Sequence, residues 1–268
     1  MLLPEKGSLN KLAVMRDIML CSRALGDSGN YFLKMKRPSF CPITNLSPDD
    51  IEQLPSEIGN RGIDVGAAVI LESSDNKILL TRRSKGLRTF PNVWVPPGGH
   101  IEQDESFVEA GLRELREETG LDIRPHQCVS SDLNVLALWE SVYPPKLNMG
   151  LPRRHHIVVY LHGKLTSDLT SDWLNTKMKL EPSEADACAW VHRDLVKAIV
   201  SAKEEVGNTV STSDMPESIR GLSVDESGVQ KECDIALEPL LRVCGVTSQV
   251  ERVSTGTKYA LEEWLQLT

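Results

Sequence analysis

The stretch GGHIEQDESFVEAGLRELREETGL, residues 98–121, limits what this chain can fold into more tightly than any other. Glycines open and close it. Between them, at ~100° per residue, Val108, Leu112, Leu115 and Thr119 fall on one stripe with Gly111. Such a stripe packs on a sheet, and Gly111 lets the two backbones come close. The spacing predicts a helix that starts near Asp104, a good N-cap residue. It ends at Gly120, where a left-handed C-cap glycine belongs.

Glu114, Glu117 and Glu118 fall together on one flank of the stripe. Glu105, Glu109, Arg113 and Arg116 fall on the other, spaced for ion pairs at i, i+4. Within the first group the separations are i, i+3 and i, i+4. Their Cβ atoms are expected ~5–6 Å apart, where like charges destabilise a helix. Beside a buried stripe, at least one such carboxylate resists ionising unless a cation is present. A hard divalent cation removes the conflict, because Mg²⁺ takes carboxylates, waters and substrate phosphates as ligands. The cluster reads as a metal site for phosphate chemistry. A glutamate-rich helix taken alone is more often a solvated acidic face, and only the residues around this one reverse that reading.

The flanking sequence predicts alternating strands and helices. "DVGAAVILES" and "ILLTRR" read as a hairpin across "SDNK". "VWVPPGGH" reads as a short strand running into a Gly-Pro corner, and "LDI" after Gly120 as the start of another strand. Further strands are expected at Val135 to Trp139 and in "RRHHIVVYLHGKL", with a strand and then a helix in "DACAWVHRDLVKAIVSAKEE". "KRPSFCPITNLSPDDIEQLPSE" reads as connector, and the polar run from Gly207 to Lys231 as loop or partly disordered chain. "STGTKYALEEWLQL" predicts a closing amphipathic helix. Trp94, Trp139 and Trp190 are expected in the core. Strands interleaved with helices give a mixed α/β layer fold.

A net charge of −8 argues against an extended nucleic-acid track or an anionic membrane surface as partner. The six cysteines (21, 41, 128, 188, 233 and 244) include no CxxC pair, so a reducing compartment is the default. The first twenty residues make a poor signal peptide, and no run reaches the length of a membrane span. Cytosol is the expectation, with the peroxisome left open.

The helix and its flanks fit G-x5-E-x7-R-E-U-x-E-E-x-G-U without a miss, where U is bulky and apolar. The fixed positions are Gly99, Glu105, Arg113, Glu114, Leu115, Glu117, Glu118, Gly120 and Leu121. That pattern resembles the Nudix box, and the likeness to Nudix hydrolases spans roughly residues 61–200. It implies a Nudix-type α/β/α sandwich with a mixed sheet. It also implies Mg²⁺- or Mn²⁺-dependent hydrolysis of a nucleoside diphosphate linked to another moiety. Carried onto this chain, it makes Glu114 and Glu118 metal ligands, and Glu117 a further ligand or the base. Gly99 would lend a carbonyl to the metal, and Glu105 with Arg113 would form a structural ion pair. Glu184, in a late loop, stands where some family members have an assisting glutamate; it reads equally well as a solvated loop residue. The family admits a homodimer.

The implied organisation is an N-terminal extension at 1–60, a Nudix domain at 61–205, a loop at 206–232, and a C-terminal segment with its helix at 233–268. Candidate substrate contacts are Arg83 and Arg88 upstream of the box, Tyr143 on the loop "YPPKLNMGLPRR", and Glu184. The run "LLTRRSKGLRTFPNVWVPPGG" partly resembles the pattern of coenzyme A pyrophosphohydrolases, with Asn92 and Pro96 departing from it. A longer likeness, through "CPITNL", "WESVYPP", "GLPRRHHIVVYL" and "ERVSTGTKYALEEWLQ", is to a vertebrate member of the family described as hydrolysing m7GpppN-capped RNA. It implies cap cleavage with release of m7GDP. Coenzyme A or NADH hydrolysis, or an inactive Nudix-fold binding module, are the alternatives.

Overall fold

The computed structural model describes residues 20–22, 31–33, 35–202, 215–242 and 250–267. The stretch before Leu20, read above as a poor signal peptide, and residues 203–214, which hold the end of the expected helix and the start of the polar loop, lie outside them. The chain forms two compact units, one of Met1–Gly66 and Ala137–Val159, the other of Ala67–Leu136 and Tyr160–Thr268.

In chain order the strands are β1 (Leu20–Ser22), β2 (Tyr31–Leu33), β3 (Met35–Lys36), β4 (Asp64–Glu72), β5 (Lys77–Arg83), β6 (Val93–Val95), β7 (Gly98–His100), β8 (Asn134–Tyr143), β9 (Arg154–Lys164), β10 (Ala185–His192), β11 (Ser218–Val224), β12 (Gln230–Ala236) and β13 (Arg252–Val253). β4, β8 and β9 have residues in both units.

In the first unit β3 runs parallel to β8, with Met35 opposite Leu138 and Lys36 opposite Trp139. Cys41, Ile43, Leu46 and Val142 form a small core, with Leu147 and Leu151 packed against it. Glu140, on β8, is fully buried. Its charge is met by Arg37 and by His155, whose Nε2 stands 2.8 Å away.

The second unit carries the strand order β12-β11-β10-β5-β4-β9, with β6 joining β5, β13 joining β6 and β7 joining β4. Pairing is antiparallel from β4 through β12 and parallel between β6 and β13, so the sheet is mixed. Side chains alternate between faces along a strand, and this decides which helix covers which side. A Cβ on Gly111 would stand 2.9 Å from Val69 and 3.0 Å from Leu161, so the Phe107–Thr119 helix lies directly on that face. Glu72 and His162 point the other way, and Glu72 meets both His162 and Trp264 of the Thr255–Leu265 helix at 2.8 Å. Helices on both faces make the expected α/β/α sandwich. Trp94, Trp139 and Trp190 are buried, as anticipated.

Four readings need correction. The box helix is capped by Ser106, not Asp104. Ser106 and Glu109 form a reciprocal capping box, so Glu109 is occupied at the N-terminus rather than in an i, i+4 pair with Arg113. Asp104 sits in the preceding turn at φ 66°. "LDI" forms no strand: it runs irregularly into a 3₁₀ turn at Pro125–Gln127, because Leu121 and Ile123 are buried without a strand partner. The polar run to Lys231 holds β11 and the start of β12, paired as a hairpin around Asp225–Gly228. Its averaged polarity hid that Gly221, Leu222 and Val224 are buried within it, while Arg220 is exposed. Finally, the supposed connector contains helices at Pro48–Glu52 and Ser56–Arg61, the first capped by Ser47 and Asp50.

Candidate active site

The site lies wholly in the second unit. The Pro-Pro-Gly-Gly corner leads from β6 into β7 and is pressed against β4, where the Val69 amide donates to the Pro97 carbonyl at 2.8 Å. A Cβ on Gly98 would stand 2.3 Å from the Ala67 carbonyl oxygen, so only glycine fits. A Cβ on Gly99 would stand 2.4 to 2.6 Å from the carboxyl atoms of Glu114. The corner therefore forms the floor beneath that carboxylate.

Arg113 holds the loop before the helix. It donates to both oxygens of Glu105, at 2.7 and 3.0 Å, and to the His100 carbonyl at 2.9 Å. Its remaining terminal nitrogen donates to Glu114 and to Glu117, each at 2.9 Å. A fork of donors in fixed geometry suits this task, which lysine could not perform.

Carboxylate oxygens of Glu114, Glu118 and Glu184 all lie within 4.8 Å of one another. Glu118 is buried; it can accept from Thr81 Oγ1 at 3.2 Å and accepts from the Gly98 amide at 3.3 Å. Burial pushes its pKa up to about 8. The Gly98 bond and the Arg83 charge oppose that rise, and the charges of Glu184 and Glu114 add to it. Glu184 is pushed up as well, first by partial burial of the carboxyl and then by Glu114 and Glu117. The unit thus holds converging carboxylates that resist ionising together. A hard divalent cation fits this donor set, because it favours oxygen ligands and relieves the repulsion.

Residues 62–210 match the family model described as NUDIX domain. The chain belongs to that family.

It is 50% identical over 234 residues to the m7GpppN-mRNA hydrolase NUDT17 of Danio rerio, covering 87% of this chain and 76% of that one. To the Homo sapiens protein of the same name it is 40% identical over 241 residues, covering 87% and 70%. It is also similar to the crystal structure of a MutT protein from Methanosarcina mazei Go1, at 23% identity and a TM-score of 0.37 over 50% of this chain and 80% of that one.

Within the Nudix box the structure groups the acids differently from the sequence. Glu117 is half exposed and turned to Arg113, and Glu184 from the loop before β10 takes the third place beside Glu114 and Glu118. Gly120 closes the helix at φ 72°. Arg83 stands close enough for the charges of Glu118 and Glu184 to act on it, and it donates to the Thr89 carbonyl at 3.3 and 3.1 Å. Arg88 is exposed on the loop after β5. Tyr143 is exposed too, but it belongs to the first unit. Sequence reasoning missed Thr81. Its only signal was a lone hydroxyl among the apolar residues of "ILLTRR".

Proposed function

We propose that the chain is a Mg²⁺- or Mn²⁺-dependent pyrophosphohydrolase that cleaves m7GpppN-capped RNA and releases m7GDP. The observation that carries the chemistry is the convergence of Glu114, Glu118 and Glu184 around a buried carboxyl pushed up to about 8. Support for the cap as substrate comes from relatives named for m7GpppN-mRNA hydrolysis, 40% to 50% identical over 87% of this chain. The matched range 62–210 supports assigning catalysis to residues 61–205.

In this reading Glu114 and Glu118 are the principal metal ligands, with Glu184 and the Gly99 carbonyl beside them. Bound there, the ion would neutralise diphosphate oxygens and lower the pKa of a water. Arg113 fixes Glu114 over the glycine corner and keeps the ligand geometry set before substrate arrives. Glu117, half exposed at the rim, takes the proton as the water oxygen bonds to one phosphorus and the other phosphate leaves. Most of the rate enhancement is positioning and charge stabilisation rather than covalent catalysis. Arg83 and Arg88 are the proposed substrate contacts. The proposed compartment is the cytosol, in keeping with free thiols at Cys41, Cys128, Cys188 and Cys233.

The test is product analysis by chromatography and mass spectrometry. Full-length protein with Mn²⁺ is offered capped RNA, coenzyme A and NADH at matched concentrations, with Glu118→Gln as control. m7GDP is expected as the dominant product and should be absent with the variant. Dominant 3′,5′-ADP from coenzyme A would overturn the substrate assignment.

A further inference from the structure

The loop from Ser84 to Asn92 joins β5 to β6 beside the carboxylate cluster, and the box chemistry makes no use of it. It is tied down at several points. The Ser84 amide donates to the carbonyl of Glu184 at 2.8 Å, so the loop begins on the residue that completes the cluster. The Leu87 amide donates to the Ser84 carbonyl at 3.1 Å, and the Asn92 amide to the Arg83 carbonyl at 3.0 Å. Near its tip, the guanidinium of Arg83 grips the Thr89 carbonyl with two bonds. That same guanidinium feels the charges of Glu118 and Glu184. Arg83 thus ties the loop's tip to the strand end whose next residue, Ser84, is bonded to Glu184.

The residue after Thr89 is Phe90, held at φ 52° and 39% exposed. Both features are costly. A bulky side chain in the left-handed region is a true conformational outlier, and a large aromatic in water gives up its burial energy. Pro91 follows, which disfavours the ordinary right-handed helical region for Phe90 and leaves fewer alternatives. Strain that neighbouring bonds over-determine is characteristic of ligand clamps. Phe90 puts an apolar aromatic residue on the loop that starts at Glu184 and whose tip Arg83 holds. The substrate part that lies beyond a diphosphate and has a complementary π-face is the nucleobase.

We propose that Phe90 is a specificity-determining residue that stacks on the nucleobase of the substrate while the carboxylate cluster and its ion hold the diphosphate. Arg83 is the positioning residue that keeps the loop tip in place. The proposal rests on the reading of the site as a nucleotide pyrophosphohydrolase and names the group that reads the base.

Calorimetric titration of the full chain with m7GDP and, separately, with inorganic pyrophosphate, both in Mg²⁺, tests it without requiring turnover. Phe90→Ala is expected to weaken m7GDP binding about 10-fold, the scale of one base-aromatic stack. Pyrophosphate binding should be unchanged and Phe90→Trp should bind m7GDP as the parent does. In hydrolysis of capped RNA the alanine variant should raise KM by the same factor with kcat within about twofold. Equal loss for m7GDP and pyrophosphate, unchanged m7GDP binding, or failure of the tryptophan variant to rescue would overturn it. A parent protein that binds m7GDP through Phe90 yet cleaves no cap would refute the proposed activity and leave the stacking role standing. A parent that cleaves the cap with Phe90→Ala unimpaired would do the reverse.

Discussion

The carboxylates of Glu118 and Glu184 stand within 4.8 Å of each other, one buried on the box helix and the other at the surface before β10. Two like charges so placed, one of them in a low-dielectric setting, cannot both ionise freely. That conflict makes the free protein's stability depend on pH and on divalent ions.

In metal-free protein the pKa of Glu118 is raised from 4.5 to about 8. The folded state therefore holds a proton that the unfolded chain releases earlier. The resulting stabilisation is full below about 4.5 and is lost as pH rises through about 8. Thermal melts in EDTA should show the midpoint falling across that window. Glu118→Gln, which cannot ionise, should flatten the fall while keeping the fold and losing nearly all turnover. A parent melt independent of pH between 5 and 9, values taken about the window set by that shift, would contradict the burial of this carboxyl.

Mg²⁺ or Mn²⁺ should raise the melting midpoint in a concentration-dependent way, because a ligand that binds only the folded state stabilises it. The increment should shrink in Glu184→Gln, which keeps the box intact but removes the third carboxylate. An increment unchanged in that variant would remove Glu184 from the ion's surroundings.

Gly99→Ala places a methyl group 2.4 to 2.6 Å from the atoms of the Glu114 carboxyl. The side chain must swing away, and a misplacement of ~1 Å costs about 100-fold in rate. We expect kcat to fall by that order, with Mn²⁺ stabilisation weakened in parallel melts. Wild-type turnover in this variant would show that Glu114 does not need its present position.

Glu72 is buried and bonded to His162, Trp264 and Lys164. Although burial raises its pKa, these three partners prevail and lower it to about 2 from 4.5. Its contribution is present above about 4.5 and is lost as pH falls toward 2. Glu72→Ala strands those partners and should cost about 3 kcal/mol in denaturant unfolding. A loss within experimental error would mean that Glu72 does not help to hold the closing helix.

Much of the local structure was legible in the residues. The stripe through Gly111, the glycine at the helix end and the Glu105–Arg113 spacing are short-range facts, fixed by 3.6 residues per turn and by the conformational freedom of glycine. The helix start was misplaced because Ser106 and Asp104 are both good caps. Only the reciprocal bond to Glu109 chose between them. The β11–β12 hairpin was hidden because an edge pair with one wet face has the composition of a loop.

By itself the sequence determined the box, its helix and the crowding of acid on one flank, because those relationships lie within a few residues of one another. Tertiary structure decided which acids meet. Glu117 is adjacent to Glu118 in the chain, yet the helix carries it round to Arg113. Glu184, remote in sequence, arrives through the pairing of β10 with β5, which sets Ala185 opposite Arg83. Strand register is settled by burial of whole faces, a property of the assembled sheet that no short window of sequence contains.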